Sequence, residues 1–213
     1  MAGYVSEAVI KRLPGYYRHL KGLEQEGVRQ ISSQELGERM HLTASQIRQD
    51  INCFGGFGRQ GYGYSVPGLR EHIGHILGVD RLHKMIIVGG GNIGRAVASA
   101  DSFPNNGFET VAIFDNDRHK IGMNVEGITV QDSAEMERFI RESAVDIALL
   151  AVPASVAQEV AEALYSFGIK GFWNFAPVDL KLPRDAVAEN VHLDESLEIL
   201  SFRMVQQTSS SLK

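Results

Sequence analysis

Cysteine is almost absent from this sequence. Cys53 stands alone in 213 residues, which rules out an intramolecular disulfide and fits a reducing compartment. No apolar run approaches the roughly 20 residues that a membrane-spanning helix requires. The first residues lack the basic, apolar, then small-residue order of a signal peptide. A cytoplasmic protein with no membrane partner is therefore expected. No His/Cys/Asp/Glu spacing suggests a metal site. There is no Tyr-x-x-x-Lys pair, and His83, His119 and His192 have no recognisable partner. No catalytic residue can be named, so an enzyme is not expected.

Positive charge is also scarce, since the chain carries a net −5. The average hides an asymmetry. Residues 1–66 hold eight Lys/Arg against six Asp/Glu, whereas residues 67–213 hold thirteen against twenty. A mildly basic head on an acidic body permits an N-terminal module that faces phosphates.

That head has a readable pattern. Ser6 to about Glu26 predicts a helix, with Val9, Ile10, Leu13, Tyr16, Tyr17, Leu20 and Leu23 near 3.6 spacing, Ser6 as cap and Pro14 as an interruption. Ile31 to Glu35 predicts a short strand entering a capped helix whose inward face is Leu36 and Met40. Thr43, with Gln46 three residues on, predicts a second cap, and Ile47 and Ile51 share one face of the helix it starts. Two short helices joined in this way fit a helix-turn-helix. The second would expose Ser45, Gln46, Arg48 and Gln49, side chains suited to base edges and phosphates. The alternation of glycine and aromatic residues from Phe54 to Val66 predicts a hairpin with Arg59 and Gln60 at its tip. A hairpin after a helix-turn-helix is the wing of a winged helix. A small helical hairpin with a solvated polar face would share much of this pattern.

The remainder is organised around Lys84-Met-Ile-Ile-Val-Gly-Gly-Gly-Asn-Ile-Gly94. A buried strand, Met85–Val88, runs into a G-x-G-x-x-G turn at Gly89, Gly91 and Gly94 and then a helix, Asn92–Ala100. The first glycine makes the turn, the second admits a pyrophosphate and the third lets helix pack on strand. Asp115 closes the next strand, Thr110–Phe114, 24 residues after Gly91. An acidic residue there accepts the adenine ribose hydroxyls and repels a 2′-phosphate, although Arg118 lies nearby. The alternation continues with a helix at Ser133–Glu142, a strand at Asp146–Val152, a helix at Pro153–Phe167 and a strand at Gly171–Phe175. Ala151-Val-Pro-Ala154 and Asn174-Phe-Ala-Pro177 then fall on the strand ends where ligands bind. About 36 residues follow, too few for a substrate domain, so the dinucleotide is expected to be read rather than consumed. Leu197, Leu200, Met204 and Val205 share a face of a last helix, which a partner subunit would cover.

These residues resemble, over nearly the whole chain, the Rex family of redox-sensing transcriptional repressors. The matching stretches are Lys11–Tyr17, Ser32–Leu36, Ala44–Asp50, Phe54–Tyr64, the glycine turn, Phe114-Asp115, Ala151–Ala154 and Asn174–Val178. The resemblance implies an α/β chain organised as a winged-helix DNA-binding domain with its connecting helix (1–79), a Rossmann NAD(H)-binding domain (80–193) and a C-terminal dimerisation helix and tail (194–213). That helix is exchanged between the subunits of a homodimer. Such a protein binds an inverted-repeat operator in double-stranded DNA and releases it on binding NADH. By position, Arg12, Ser45, Gln46, Arg48, Gln49 and Arg59 would serve DNA binding, with Arg12 near the domain junction. Gly89, Gly91, Asn92, Ile93, Gly94 and Asp115 would hold the ADP half of NAD(H), and Ala151, Pro153, Asn174 and Ala176 the nicotinamide side.

Some positions depart from the family pattern. Gln49 and Gln60 stand where a basic residue is usual. A tyrosine about six residues after the third glycine and an aspartate before the last helix form an interaction in many members that helps distinguish NAD from NADH. Ala100 and His192 occupy those places, with Asp194 a shifted candidate for the second. A DNA-binding protein that holds NAD(H) without answering its redox state is thus one alternative, and a small NAD-dependent oxidoreductase another.

Overall fold

A computed structural model describes residues 5–55, 58–59 and 63–210, with side chains undescribed at 58, 59 and 208–210. The chain divides into two compact units, Met1–Arg81 and Leu82–Lys213, where the sequence had suggested a boundary after residue 79 and a separate C-terminal piece. Among the described residues no helix is long and apolar enough to cross a membrane.

The first unit begins with α1 (Glu7–Gln25), which buries Val9, Leu13, Tyr16, Leu20 and Leu23 at helical spacing. Pro14 lies inside this helix without ending it, and Ser6 makes no side-chain cap bond. After β1 (Gln30–Ile31), Ser32 caps α2 (Ser33–Met40). Its Oγ accepts from the Glu35 amide at 3.1 Å while the Glu35 carboxylate accepts from the Ser32 amide at 2.8 Å. Thr43 caps α3 (Ala44–Asn52) through the Gln46 amide at 3.1 Å. Ile47 and Ile51 of α3 join Leu36 and Leu13, Tyr16, Leu20 and Leu23 of α1 in one core.

The hairpin β2 (Gly58–Arg59) and β3 (Gly63–Ser65) pairs antiparallel, and β3 also pairs with β1. Tyr64 is buried in the core from this hairpin. The Arg59 side chain, Gln60 and Tyr62 lie outside the described residues. Ser65 caps α4 (Val66–Leu77), which Gly78 ends in a left-handed conformation.

The second unit is a seven-stranded sheet. Its strands are β4 (His83–Val88), β5 (Phe108–Asp115), β6 (Asn124–Val125), β7 (Ile128–Asp132), β8 (Ile147–Leu150), β9 (Gly171–Asn174) and β10 (Val187–Asn190), in the order β10-β9-β8-β4-β5-β7-β6. All neighbours are parallel except β6, which turns back on β7. The β6–β7 hairpin and β10 were not anticipated. They are short and half-exposed, so they lack the apolar run that marks β4, β5 and β8.

The crossovers hold α5 (Asn92–Ala98), α6 (Met136–Glu142) and α7 (Ala154–Phe167). Ile86, Val88, Ala112, Phe114, Ala148 and Leu150 share a core with α6 and α7 residues on one face of the sheet. Met85, Ile87, Ile113 and Leu149 share another with Val97, Ala98 and Trp173. Trp173 meets Phe175 and Phe103 edge-on, with centroids 4.7 and 5.5 Å apart. The last helix, α8 (Leu193–Ser210), exposes Leu193, Leu197, Ile199, Leu200, Phe202, Met204 and Val205.

Candidate functional site

From β4 the chain builds outward to β5 and β7 on one side, and from β8 to β9 and β10 on the other. The order therefore reverses between β4 and β8, which is where an open parallel sheet leaves a crevice at its C-terminal edge. A cleft of about 720 Å³ lies there, lined by Gly89, Gly91, Asp115, Ala151 and Pro153 among others. A second cavity, about 360 Å³, sits at the opposite strand ends among Met85, Phe103, Phe108, Ile147 and Trp173. It has almost no polar group to orient a ligand, so the C-terminal cleft is the better site.

The three motif glycines have distinct geometric reasons. Gly89 ends β4 with φ +104°, and a Cβ there would collide with the Ala151 carbonyl of the neighbouring strand. At Gly94 a Cβ would collide with the Gly89 carbonyl, so the third glycine lets α5 lie against the turn. A Cβ at Gly91 would meet nothing within 4 Å, which leaves open space above the turn. Asn92 and Ile93 stand exposed on the first turn of α5.

Asp115 closes β5 beside this turn and is buried. Its Oδ2 accepts from the Gly90 amide at 2.7 Å and from Lys120 Nζ at 3.0 Å, and its Oδ1 accepts from the Asp117 amide at 2.8 Å. Burial alone would raise this carboxyl's pKa. The Asp117 amide, the Lys120 ammonium and the Gly90 amide outweigh that effect and hold it below the ordinary value. Asp117 and Lys120 also line the cleft and were missed from sequence, whereas Arg118, the cation expected near Asp115, is exposed and absent from the lining. The available signal was a lysine five residues past the strand-end aspartate.

Two residues expected on the nicotinamide side do not line the cleft. Asn174 is fully buried. Its Nδ2 donates to the Val178 carbonyl at 2.7 Å and to Asn190 Oδ1 at 2.9 Å, while its Oδ1 accepts from the Ala176 amide at 3.0 Å. The side chain is consumed in shaping the loop after β9 and joining it to β10. Ala176 is buried as well, and neither residue lines the cleft. His192 pairs with Asp179 at 3.0 Å, and Ala100 is half-buried after α5.

In the first unit, Ser45, Arg48 and Gln49 are exposed along α3, as the helix-turn-helix pattern predicts. Arg48 reaches Ser33 Oγ of α2 at 3.0 Å. Arg12 and Gln46 are directed inward by a residue that sequence reading passed over, Asp50, whose side chain is 1% exposed. Arg12 donates Nε to Asp50 Oδ2 at 2.7 Å and Nη2 to Oδ1 at 2.9 Å. The Tyr16 hydroxyl donates to Oδ2 at 2.8 Å and Gln46 Nε2 to Oδ1 at 2.7 Å. Burial raises the Asp50 pKa, but Arg12, Gln46 and Tyr16 together bring it below the usual range. Burial and the neighbouring carboxylate push the Tyr16 hydroxyl upward. The network ties α3 to α1, so Arg12 and Gln46 set the helix in place rather than project from it. Asp50 falls three residues after Ile47 and one before Ile51, on the buried side of α3, and that placement was the sequence signal.

Comparison with known proteins follows these two units. Residues 4–52 match the family described as "Putative DNA-binding protein N-terminus", and residues 80–178 match the "CoA binding domain" family. The redox-sensing transcriptional repressor Rex of Clostridium botulinum (strain Eklund 17B / Type B) is 47% identical over 203 residues, covering 95% of this chain and 97% of that protein. The Rex protein of Caldanaerobacter subterraneus subsp. tengcongensis is 47% identical over 95% of this chain and 91% of its own. A crystal structure of RSP in complex with beta-NAD+ and operator DNA is 46% identical, with a TM-score of 0.90 over 98% of this chain and 96% of that one. RSP in complex with beta-NADH is 44% identical, with a TM-score of 0.88 over 98% of this chain and 99% of that one. At this identity and coverage, the chain belongs to the Rex family of redox-sensing transcriptional repressors.

Proposed function

We propose that this protein is a homodimeric transcriptional repressor, not an enzyme, that binds an inverted-repeat operator through its first unit and leaves it when NADH enters the cleft of its second. The carrying observation is that one fold, shared with RSP over nearly its full length, is described bound to NAD+ with operator DNA and bound to NADH. The chain's own residues fit both partners. Gly89, Gly91 and Gly94 form a turn open above its second glycine, and Asp115 stands beside it as an acceptor for ribose hydroxyls. Asn92 and Ile93 flank the turn, and Ala151 and Pro153 wall the far side of the cleft. Ser45, Arg48 and Gln49 supply a polar helix face for the major groove, with Arg59 on the wing.

A head with so little positive charge binds phosphates weakly, and two heads on one dimer add their contacts. The apolar face of α8 is where the second copy would be held. Cytoplasmic location follows from action on DNA. For NADH to act as the signal it must bind the released state more tightly, by about 10⁴-fold to invert a 99:1 population.

A fluorescence-anisotropy titration of an inverted-repeat operator, run with NAD+ and with NADH, tests this. Selective loss of the complex with NADH is expected, and no operator binding at low salt under either condition overturns the proposal. One observation favours a second reading. Ala100 offers no hydroxyl and His192 is engaged with Asp179, so NAD+ and NADH could be held alike. Equal operator affinity across both titrations would establish that reading instead.

A further inference from the structure

The acidic corner of the cleft holds more charge than Asp115 alone. The turn after β5 closes on itself, because the amides of Lys120 and Ile121 both donate to the Asp117 carbonyl, at 2.9 and 3.1 Å. That turn brings Lys120 Nζ to 3.0 Å from Asp115 Oδ2 and 3.8 Å from Asp117 Oδ2. The Lys120 and Asp117 side chains are 35% and 41% exposed, so both look into the cleft while remaining within reach of solvent. The Asp117 carboxylate is itself oriented by the His119 amide at 3.0 Å.

We infer that Asp117 and Lys120 together set how strongly the cleft rejects an adenosine carrying a 2′-phosphate. This rests on reading the cleft as the NAD(H) site. Asp115 is the group a ribose would meet, and its Oδ1 carries a single hydrogen bond among the described residues, leaving it room to accept a hydroxyl. A phosphate on that ribose would come within a few ångströms of all three charged side chains. Two carboxylates and one ammonium leave one net negative charge. Lys120 is the cation that could receive the phosphate, but it is already shared between Asp115 and Asp117. Asp117 therefore denies Lys120 to the phosphate, and Lys120 limits the repulsion that the two carboxylates exert. Their removal moves the local charge in opposite directions, so the two residues have opposite effects on selectivity. Arg118 is exposed and does not line the cleft.

NADH and NADPH differ only at the 2′ position and carry the same fluorescent nicotinamide, so the experiment is a pair of fluorescence titrations on the full-length protein. The quantity read is the ratio of the two dissociation constants. Asp117→Asn is expected to shift that ratio toward NADPH by roughly tenfold, and Lys120→Gln away from it by a similar factor, as expected for one unit charge at this range. Lys120→Arg keeps the charge and should keep the ratio. Raising the salt concentration should shrink the differences, since the charges are partly exposed. Ratios within about twofold of the unmodified protein in both Asp117→Asn and Lys120→Gln, or shifts of the same sign, overturn the inference. Failure of the unmodified protein to bind NADH overturns the cofactor reading instead, so the two failures are distinct.

Discussion

Asp50 in the first unit and Asp115 in the second are both buried carboxylates, one on the last turn of α3 and the other closing β5 beside the glycine turn. Their surroundings differ. Asp50 receives two hydrogen bonds on each oxygen, all from side chains, and the capacity of a carboxylate is then filled. Asp115 receives three among the described residues, two of them from backbone amides, and borders the cleft of about 720 Å³ at the sheet's C-terminal edge. A buried charge closed on every side fixes geometry, while one held firmly from behind and open in front can receive a ligand. The same chemistry has become a clamp in one unit and a receptor in the other.

The contrast can be broken by substitution, and the largest effect is expected where backbone meets backbone. Gly94→Ala forces a methyl group into the Gly89 carbonyl. It should cost about 3 kcal/mol of second-unit stability and abolish measurable NADH binding, read by thermal unfolding and by nicotinamide fluorescence. Next, Arg12→Ala leaves a buried carboxylate with only Tyr16 and Gln46. About 2–3 kcal/mol should be lost from the first unit, visible in denaturant unfolding, with NADH affinity unchanged. A fall in NADH affinity would mean the clamp is not confined to its unit. Asp115→Asn should do the reverse, weakening NADH binding by about 1.5–2 kcal/mol while unfolding shifts by less than about 1 kcal/mol.

The smallest effect is the pH response. Both carboxyls are depressed in the folded chain, so each stabilises fully above its unfolded value of about 3.9 and loses that contribution as pH falls through the folded value. The contribution of these two carboxyls should be flat from neutrality to about pH 5 and decline below about pH 4. In Arg12→Ala the decline of the first unit should be shallower. An unchanged acid limb in that variant would remove Asp50 from the account.

Sequence carried the parts of this molecule whose causes are local. Strand, glycine turn, helix and Asp115 lie within one stretch, and the roles of Gly89 and Gly94 follow from backbone approaches that only glycine allows. The caps at Ser32 and Thr43 are three-residue patterns and were equally legible. What escaped was set by distant partners. Asp50 finds Arg12 and Tyr16 more than thirty positions away, so Arg12 and Gln46 looked like free polar groups. Asn174 sits at a strand end, as expected, but the bonds that turn it inward come from Val178 and Asn190. The β10 strand exists because β9 is there to pair with, not because its own four residues prefer extension.

Trp173 has one more consequence. It is the chain's only tryptophan, and it belongs to β9 in the second unit, packed edge-on against Phe103 and Phe175. Light that excites indole selectively therefore interrogates the sheet and is silent about the α1–α3 clamp. Circular dichroism sees helices in both units. Melting curves from the two signals, overlaid, would separate wherever one unit lets go before the other, and the native sequence supplies the label.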